Sequence, residues 1–358
     1  MRLVDTDCEG PIVLNDNALE LAAHFIPDGE EFFARLSKYD DYLAGIVKKP
    51  GYRSGSTLVM ILPFLKAFGA SNKQIEFYSL YHIKMLPGAI AAFKYIQSKM
   101  PLFLISASYS PFALALGHKL GVPPENVYST KLDIDQYRLS FADTAHLKKL
   151  VKEVLSLPAL DIPENVMSAE YVAPQVKSAI HRLDQIIWKE VMSMECGRVL
   201  SDVSPVGGIE KARAVRDSVK RTDSALSEVM YIGDSITDLE ALELVKESEG
   251  IAISFNGNSY AVSAAEIVCI SSNTTVTAVL SDVFLREGRQ GVLDIAANWS
   301  PSALRESAIE PELLRRFFST YTKEFPLVEI VSEETRARLI DNSETFRKIL
   351  RGKAGMLG

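Results

Sequence analysis

The sequence predicts an α/β protein built around a doubly wound parallel sheet, and three observations support that prediction. Short aliphatic or β-branched runs end abruptly at polar residues or glycine, which is typical of buried strands. These runs are apolar almost throughout, so neither face of the predicted sheet meets water. Helical patterns separate the runs, as crossover connections between parallel strands require. We therefore expect helices on both faces of the sheet.

The individual elements follow from these patterns. Buried strands are predicted at Arg2–Val4, Leu102–Ile105, Val229–Ile232, Ile251–Phe255 and Ile267–Ile270. Helices are predicted around them at Gly88–Gln97, Pro111–Leu120, Ile209–Val219, Thr237–Lys246 and Tyr260–Ala265.

Two insertions longer than a crossover requires interrupt the predicted core. Both are predicted to be helical appendages, and the second carries a periodic apolar series from Val172 to Val191. Beyond about Val276 the chain is helical in pattern and charged. The predicted boundaries are 1–13, 86–139 and 205–275 for the core, 14–85 and 140–204 for the insertions, and 276–358 for the C-terminal extension.

Composition excludes several classes of protein. Of the 358 residues, 47% are hydrophobic and 24% are charged, which is typical of a folded globular chain and not of a disordered or fibrous one. The net charge of −7 has the wrong sign for non-specific binding to nucleic-acid phosphates. The three scattered cysteines do not fit a disulfide framework.

The sequence shows no pattern typical of a membrane-spanning helix or of a secretory signal. The longest apolar run, Leu58 to Leu65, contains Pro63 and is far shorter than the ~20 residues of a membrane helix. The N-terminus carries Asp5 and Asp7 where a secretory signal would have a basic start. We therefore expect a cytoplasmic protein without membrane insertion.

Acidic residues follow two of the predicted strands. Asp5 and Asp7 come at the end of the first strand, and the sequence Gly233-Asp-Ser-Ile-Thr-Asp238 follows the strand Val229–Ile232 and opens a helix. Ligands of doubly wound sheets bind at the carboxyl ends of the strands. One helical turn separates Asp234 from Asp238, so both carboxylates face the same side. The alternative interpretation is purely structural: Asp234 caps the N-terminus of the helix, and Asp238 is exposed to solvent.

A serine and a lysine occupy comparable positions. Ser106 ends the run Leu102–Ile105, where its hydroxyl and the following helix N-terminus form an anion site or simply a helix cap. Lys211 follows Gly207-Gly208 in the first turn of a helix, where a cation opposes the helix dipole. A solvated surface lysine is the alternative.

Along the chain the four signals are the pair Asp5 and Asp7, then Ser106, then Lys211, then Gly233–Asp238. In that order they resemble the motifs of the haloacid dehalogenase (HAD) superfamily. Pro87-Gly88-Ala89 and Ser254-Phe-Asn-Gly257 are similar to the flanking sequences of its phosphoserine-phosphatase-like members. The opening Asp5-Thr-Asp-Cys-Glu-Gly-Pro is also similar to an archaeal HAD-like group that includes energy-converting hydrogenase A subunit R. The resemblance covers the predicted core and implies a Rossmann-like fold.

The resemblance implies a role for each residue. Asp5 would attack phosphorus and form an aspartyl-phosphate, and Asp7 would act as general acid and base. Ser106 and Lys211 would bind the phosphoryl group. Mg²⁺ would be held by Asp5, the backbone carbonyl of Asp7, Asp234 and Asp238. Glu9 departs from the family pattern, because a carboxylate there repels phosphate unless it is metal-bound, protonated or turned away.

The two insertions lie where HAD cap domains lie, so substrate choice is expected there. Arg53, Lys49 and five tyrosines are candidates for contacting a polar leaving group. The tyrosines, which alternatively pack the core of the cap, are Tyr39, Tyr42, Tyr52, Tyr78 and Tyr81.

Two functional hypotheses remain. The first is a Mg²⁺-dependent phosphatase of a small phosphorylated metabolite. The second is a HAD-fold regulatory or binding subunit with negligible turnover that contacts a protein partner through the C-terminal helices. We discount a response-regulator receiver domain, because such domains are only about a third of this length. Dinucleotide binding and a nucleotide phosphate loop also lack support, because the chain has neither GxGxxG after the first strand nor a GxxxxGK[ST] sequence.

Overall fold

A computed structural model describes residues 1–47, 52, 55–162 and 168–356. Its centre is a seven-stranded sheet in the order β3-β2-β1-β4-β5-β6-β7. The first six strands pair in parallel and β7 pairs antiparallel to β6, which confirms the predicted fold class. The strands are β1 Leu3–Thr6, β2 Leu102–Tyr109, β3 Val127–Thr130, β4 Val229–Gly233, β5 Ile251–Phe255, β6 Ile267–Ile270 and β7 Leu327–Ile330.

Two of these strands were not predicted. β3 and β7 lie at the two edges of the sheet, have four residues each and are only partly buried. An edge strand does not show the continuous apolar run that marked the central strands. β7 lies inside the extension that was predicted as helical, where it adds an antiparallel edge.

Helices account for most of the remaining chain. Before the second insertion they are α1 Asn17–Phe25, α2 Gly29–Asp41, α3 Thr57–Met60, α4 Leu62–Ala67, α5 Asn72–Tyr81, α6 Ala89–Lys99 and α7 Ser110–Leu120. The second insertion and the core supply α8 Phe141–Ser156, α9 Pro174–Gln185, α10 Val199–Asp202, α11 Ile209–Arg221, α12 Leu239–Glu247 and α13 Ser259–Ala264. The C-terminal extension supplies α14 Thr275–Ala297, α15 Pro301–Glu306, α16 Pro311–Thr320 and α17 Arg336–Arg351.

Helices cover both faces of the sheet. On one face α11, α12 and α13 pack against residues such as Leu3 and Tyr231. On the other face α6, α7, α14 and α16 pack against Val4 and Ile232. Successive side chains of a strand point to opposite faces, so Leu3, Asp5 and Asp7 all point toward α11.

The two insertions form one helical lobe with its own hydrophobic core. Residues from both insertions contribute to it, including Phe32, Phe64 and Leu183. Polar contacts join them as well, since Trp188 Nε1 donates to the hydroxyl of the buried Tyr39 over 2.9 Å. The C-terminal extension instead packs on the sheet, where Phe317 and Val328 share the core of α6 and α14.

Every described helix is too short or too polar to cross a lipid bilayer. Lys49 and Arg53, two candidates for contacting a leaving group, lie outside the described residues.

Candidate active site

The first strand places two carboxylates on the same face, one inside the sheet and one beyond the end of the strand. Asp5 lies within β1, opposite Phe103 of β2 and Tyr231 of β4. It is fully buried, and its Oδ2 accepts a 2.6 Å hydrogen bond from Ser218 Oγ of α11. Its Oδ1 is buried without a hydrogen-bond partner among the described residues. Burial raises the pKa of Asp5 to about 8, although the Ser218 bond opposes this shift.

Asp7 comes directly after the strand. Its backbone N–H donates to the carbonyl of Ile232 over 2.8 Å, which fixes the chain beside the end of β4. One carboxylate oxygen accepts from the N–H of Cys8 at 2.6 Å, and the other accepts from Lys211 Nζ at 2.7 Å. Asp5 and Asp7 were both predicted at the end of the first strand; Asp7 lies there, whereas Asp5 lies inside the strand because β1 extends to Thr6.

Lys211 links the acidic residues. Its side chain is fully buried, and its ammonium group also donates to Asp238 Oδ1 at 2.7 Å. Burial opposes the charged form, but the Asp238 and Asp7 carboxylates outweigh it and raise the pKa of Lys211 above its usual range. Gly208 allows this arrangement, because its φ of 58° is unfavourable for residues with a side chain and its N–H donates to the Thr237 carbonyl over 2.8 Å.

The loop after β4 supplies the remaining carboxylates. Asp238 Oδ2 accepts from the N–H groups of Asp234 and Ser235, both at 3.0 Å, and its Oδ1 also accepts from the Tyr231 hydroxyl at 2.7 Å. Gly10, with φ of +92°, packs so tightly on Asp234 that an added Cβ would lie 2.0 Å from the carboxylate Oδ2.

Three carboxylates are close enough to share a cation. Asp7, Asp234 and Asp238 each offer an oxygen within 4.8 Å of the others, and all three residues are buried. Several carboxylate oxygens at this spacing match the hard ligands that Mg²⁺ prefers, so the donor set fits the predicted ion. Asp5, the fourth predicted ligand, is not in this group.

Glu9 lies two residues beyond Asp7 and also faces the site. Its Oε1 accepts from Ser108 Oγ at 2.6 Å and from the N–H of Asn17 at 2.8 Å. Burial, assisted by the Asp16 carboxylate, raises the pKa of Glu9 to about 8, which favours its protonated form. A protonated Glu9 would not repel a phosphate group.

Ser106 lies on β2 and is fully buried. Its Oγ accepts from the N–H of Ser108 at 3.2 Å, and the side chain lies beside Cys8, whose thiol pKa it influences. Its role in binding phosphate stays a prediction.

Two arginines of the site were not predicted from the sequence. Arg347 and Arg351 of α17 both donate to Asp234 Oδ2, the latter from Nη1 at 2.8 Å. These residues are 113 and 117 positions from Asp234 in the chain. Their spacing of four residues on one helix is the single local signal, and it does not show what the helix contacts.

A cleft of about 100 Å³ opens beside these groups. Residues of the first insertion line one side of it, and the described lining includes none from the second insertion and none of the five tyrosines. Tyr39 and Tyr42 are buried in the helical lobe instead. The lining residues are Asp7, Glu9, Asp16, Ala18, Phe33, Ser37, Asp40, Asp41, Gly55, Thr57, Leu58, Ala107, Asp234, Ser235, Ile236, Thr237, Arg347, Arg351 and Ala354.

A family model and the solved structure of a similar archaeal protein agree with this fold. Residues 125–280 match the family model of haloacid dehalogenase-like hydrolases. The structure of a gene product from Archaeoglobus fulgidus is 27% identical, has a TM-score of 0.81, and covers 100% of this chain and 99% of its own. A phospho-aspartyl intermediate analogue of phosphoserine phosphatase is 13% identical with a TM-score of 0.44, over 75% of this chain and 92% of its own. No curated protein sequence matches. The family match and the sheet topology confirm the predicted resemblance to the haloacid dehalogenase superfamily.

Proposed function

We propose that this protein is a Mg²⁺-dependent phosphohydrolase that cleaves a small phosphorylated metabolite through an aspartyl-phosphate on Asp7. The observation that carries the proposal is the buried contact of Lys211 with both Asp7 and Asp238 at the end of β1. A carboxylate held beside a fixed ammonium group can approach an anionic phosphoryl group, because the ammonium offsets the repulsion. Among the described residues, Asp5 contacts no cationic group and does not line the cleft.

The catalytic roles therefore move two residues along the chain from the sequence-based assignment. A carboxylate oxygen of Asp7 forms a bond to phosphorus while the bond from phosphorus to the leaving oxygen breaks. Glu9 gives its proton to that oxygen. It then takes a proton from the water that attacks the aspartyl-phosphate, which releases phosphate and restores Asp7. The raised pKa of Glu9 is consistent with a general acid at neutral pH.

The remaining groups hold charge and position. Asp7, Asp234 and Asp238 would hold Mg²⁺, which when bound supplies positive charge that offsets the phosphoryl oxygens. Lys211 orients Asp7 and balances Asp238 throughout. Ser106 is proposed to donate to a phosphoryl oxygen. The buried surroundings strengthen these electrostatic contacts because water does not screen them.

The cleft supports a small and polar leaving group. Its volume of about 100 Å³ is below the range of pockets that take drug-sized ligands, roughly 300–1,000 Å³. From the first insertion, Ser37, Asp41 and Thr57 line it with polar atoms. A compact metabolite with hydroxyl or amino groups matches such a lining.

A comparison of two asparagine variants tests the proposal. Hydrolysis of a generic aryl phosphate with Mg²⁺ should fall at least about a thousandfold in Asp7→Asn, since the nucleophile is lost. Asp5→Asn, which is matched in chemistry and lies on the same strand face, should keep activity within about threefold. Equal rates for wild type and Asp7→Asn would contradict the proposal. Absence of turnover by the wild type over a broad panel of phosphate esters would instead favour a regulatory subunit.

A further inference from the structure

One carboxylate oxygen of the site is held by two arginines from the C-terminal helix. Asp234 Oδ2 accepts from both Arg347 and Arg351, whose side chains are each 4% exposed. Within the described parts of the chain, the other oxygen of Asp234 has no hydrogen-bond partner. Asp234 lines the cleft, so it remains able to bind a cation through that second oxygen.

Both arginines are fixed by backbone carbonyls. Arg351 donates from Nη2 to Asn15 at 2.7 Å and from Nε to Leu14 at 3.3 Å. Arg347 donates from Nε to Gly355 at 3.2 Å. The Arg351 bonds connect α17 to the segment between β1 and α1, and the Arg347 bond connects α17 to the residues that follow it. The two guanidinium groups are therefore part of the site and differ from the mobile partners of a surface ion pair.

The helix that carries them is anchored separately. The hydroxyl of the fully buried Ser343 donates to the carbonyl of Gly257 at 2.7 Å, and the Glu344 carboxylate accepts from the N–H of Ser259 at 2.9 Å. Leu339 packs with Val262 and Val268. Loss of one arginine contact therefore leaves α17 attached to the sheet.

Charge gives the arginines a second consequence. The three carboxylates of the candidate cation site, from Asp7, Asp234 and Asp238, lie beside three cationic groups, from Lys211 and the two arginines. Two of those three positive charges come from the C-terminal helix. Because they touch a ligand of the proposed cation, they repel that cation while they orient its ligand.

We propose that Arg347 and Arg351 are positioning residues that orient Asp234 and lower the affinity of the site for Mg²⁺. The C-terminal helix thus sets how readily the cation binds and exchanges. This inference rests on the cation site of the proposed function. One arginine suffices to orient Asp234 Oδ2, so removal of a single positive charge strengthens cation binding.

Calorimetric titration with Mg²⁺ alone tests the inference without measuring turnover. Arg351→Gln removes the charge and keeps an amide donor for the carbonyls of Leu14 and Asn15. We expect it to bind Mg²⁺ at least about tenfold more tightly than the wild type. Arg351→Lys retains the charge and should stay within about threefold of the wild type. The matched control is Lys348→Gln on the same helix, half exposed and paired only loosely with Glu344, which should leave the affinity unchanged.

Equal or weaker Mg²⁺ binding by a folded Arg351→Gln protein would overturn the inference. Hydrogen exchange of residues 345–356 provides a second test that needs no cation. Exchange should rise in Asp234→Asn, since an amide holds two guanidinium groups less strongly than a carboxylate. Unchanged exchange would show that the contacts of Arg347 and Arg351 with Asp234 do not hold the helix, and this would overturn the inference.

The two proposals fail differently. If hydrolysis depends on Asp7 but Mg²⁺ affinity does not respond to Arg351→Gln, the phosphohydrolase stands and the role of the arginines is refuted. If no variant binds Mg²⁺, the role of the arginines and the cation requirement are both refuted.

Discussion

Asp5 and Asp7 lie on the same face of the same strand, and each meets the same helix. Their partners on α11, Ser218 and Lys211, are seven residues apart, or two helical turns. Inside the sheet, Asp5 meets a neutral hydroxyl, and burial raises its pKa to about 8. At the end of the strand, Asp7 meets a buried ammonium group that also holds Asp238.

This difference shows that position along the strand decides what a carboxylate can do. A neutral hydroxyl cannot offset the cost of burying a charge, so Asp5 is stabilised in its protonated form. The Lys211 ammonium group offsets part of that cost for Asp7, whose pKa burial still raises to about 7, and Asp7 lines the cleft. The inner pair, Asp5 and Ser218, is a structural contact. The outer pair, Asp7 and Lys211, is the candidate reaction centre.

The largest contrast is expected when the helix partners are removed. Lys211→Met leaves two buried carboxylates without their cation, which should lower the free energy of unfolding by about 3–5 kcal/mol and reduce hydrolysis at least about a thousandfold. Ser218→Ala should cost about 1–2 kcal/mol and change hydrolysis by less than about threefold. Urea unfolding and steady-state kinetics measure both. Similar activity losses in the two variants would remove the distinction between the pairs.

Glu9 extends the series of acidic residues one strand period further and offers a sharper test of the outer site. Glu9→Gln removes the proposed proton donor and should reduce hydrolysis of alkyl phosphates by about 10²–10³-fold. Aryl phosphates have good leaving groups that need little protonation, so their hydrolysis should fall less in the first chemical step. The ratio of the two losses in single-turnover kinetics is the measurement. Equal losses would indicate that Glu9 acts only through folding.

Gly10 tests how closely the outer site is packed. Its φ is +92°, and an added Cβ meets the Asp234 carboxylate at 2.0 Å. Gly69 has a similar φ of +95° with nothing within 4 Å of the added atom, so Gly69→Ala isolates backbone strain. Gly10→Ala should therefore be about 1–3 kcal/mol more destabilising than Gly69→Ala in urea unfolding. Equal effects would show that Asp234 moves away freely.

Much of the site was predictable because its signals are local. Gly233-Asp234 after an apolar strand and Lys211 after two glycines indicated a sheet edge from a few neighbouring residues each. The register of the first strand was not predictable. The run Arg2–Val4 is short and continues into Asp5, Asp7 and Glu9 at a spacing of two, so any adjacent pair on that face fits the motif. Glu9 was the available signal, because Asp7 and Glu9 form a second acidic pair at the same spacing.

For other features, no local signal identifies the contacts that the residues make. The contacts of Arg347 and Arg351 with Asp234 join residues 113 and 117 positions apart, and they depend on how α17 packs. The short strand β7 is half buried and follows a proline, so its pattern is indistinguishable from a loop. Both the arginine contacts and the position of β7 depend on packing between distant parts of the chain, which a single sequence does not reveal.

The smallest expected effect concerns the pH dependence of stability at the inner pair. Asp5 has a pKa of about 8 in the folded protein against an ordinary value of 3.8, so between these values the folded state binds the proton more tightly than the unfolded chain. Its contribution to stability is therefore complete below about pH 4 and is lost as the pH rises toward 8.

Asn keeps a partner for Ser218 and does not titrate, so Asp5→Asn should gain stability relative to the wild type as the pH increases. We expect a relative gain of about 1–2 kcal/mol between pH 6 and pH 8, at most 1.4 kcal/mol per unit, in urea unfolding at matched ionic strength. Parallel pH profiles for the two proteins would mean that Asp5 is already ionised in the fold, and the contrast between the inner and outer carboxylates would then not arise from burial.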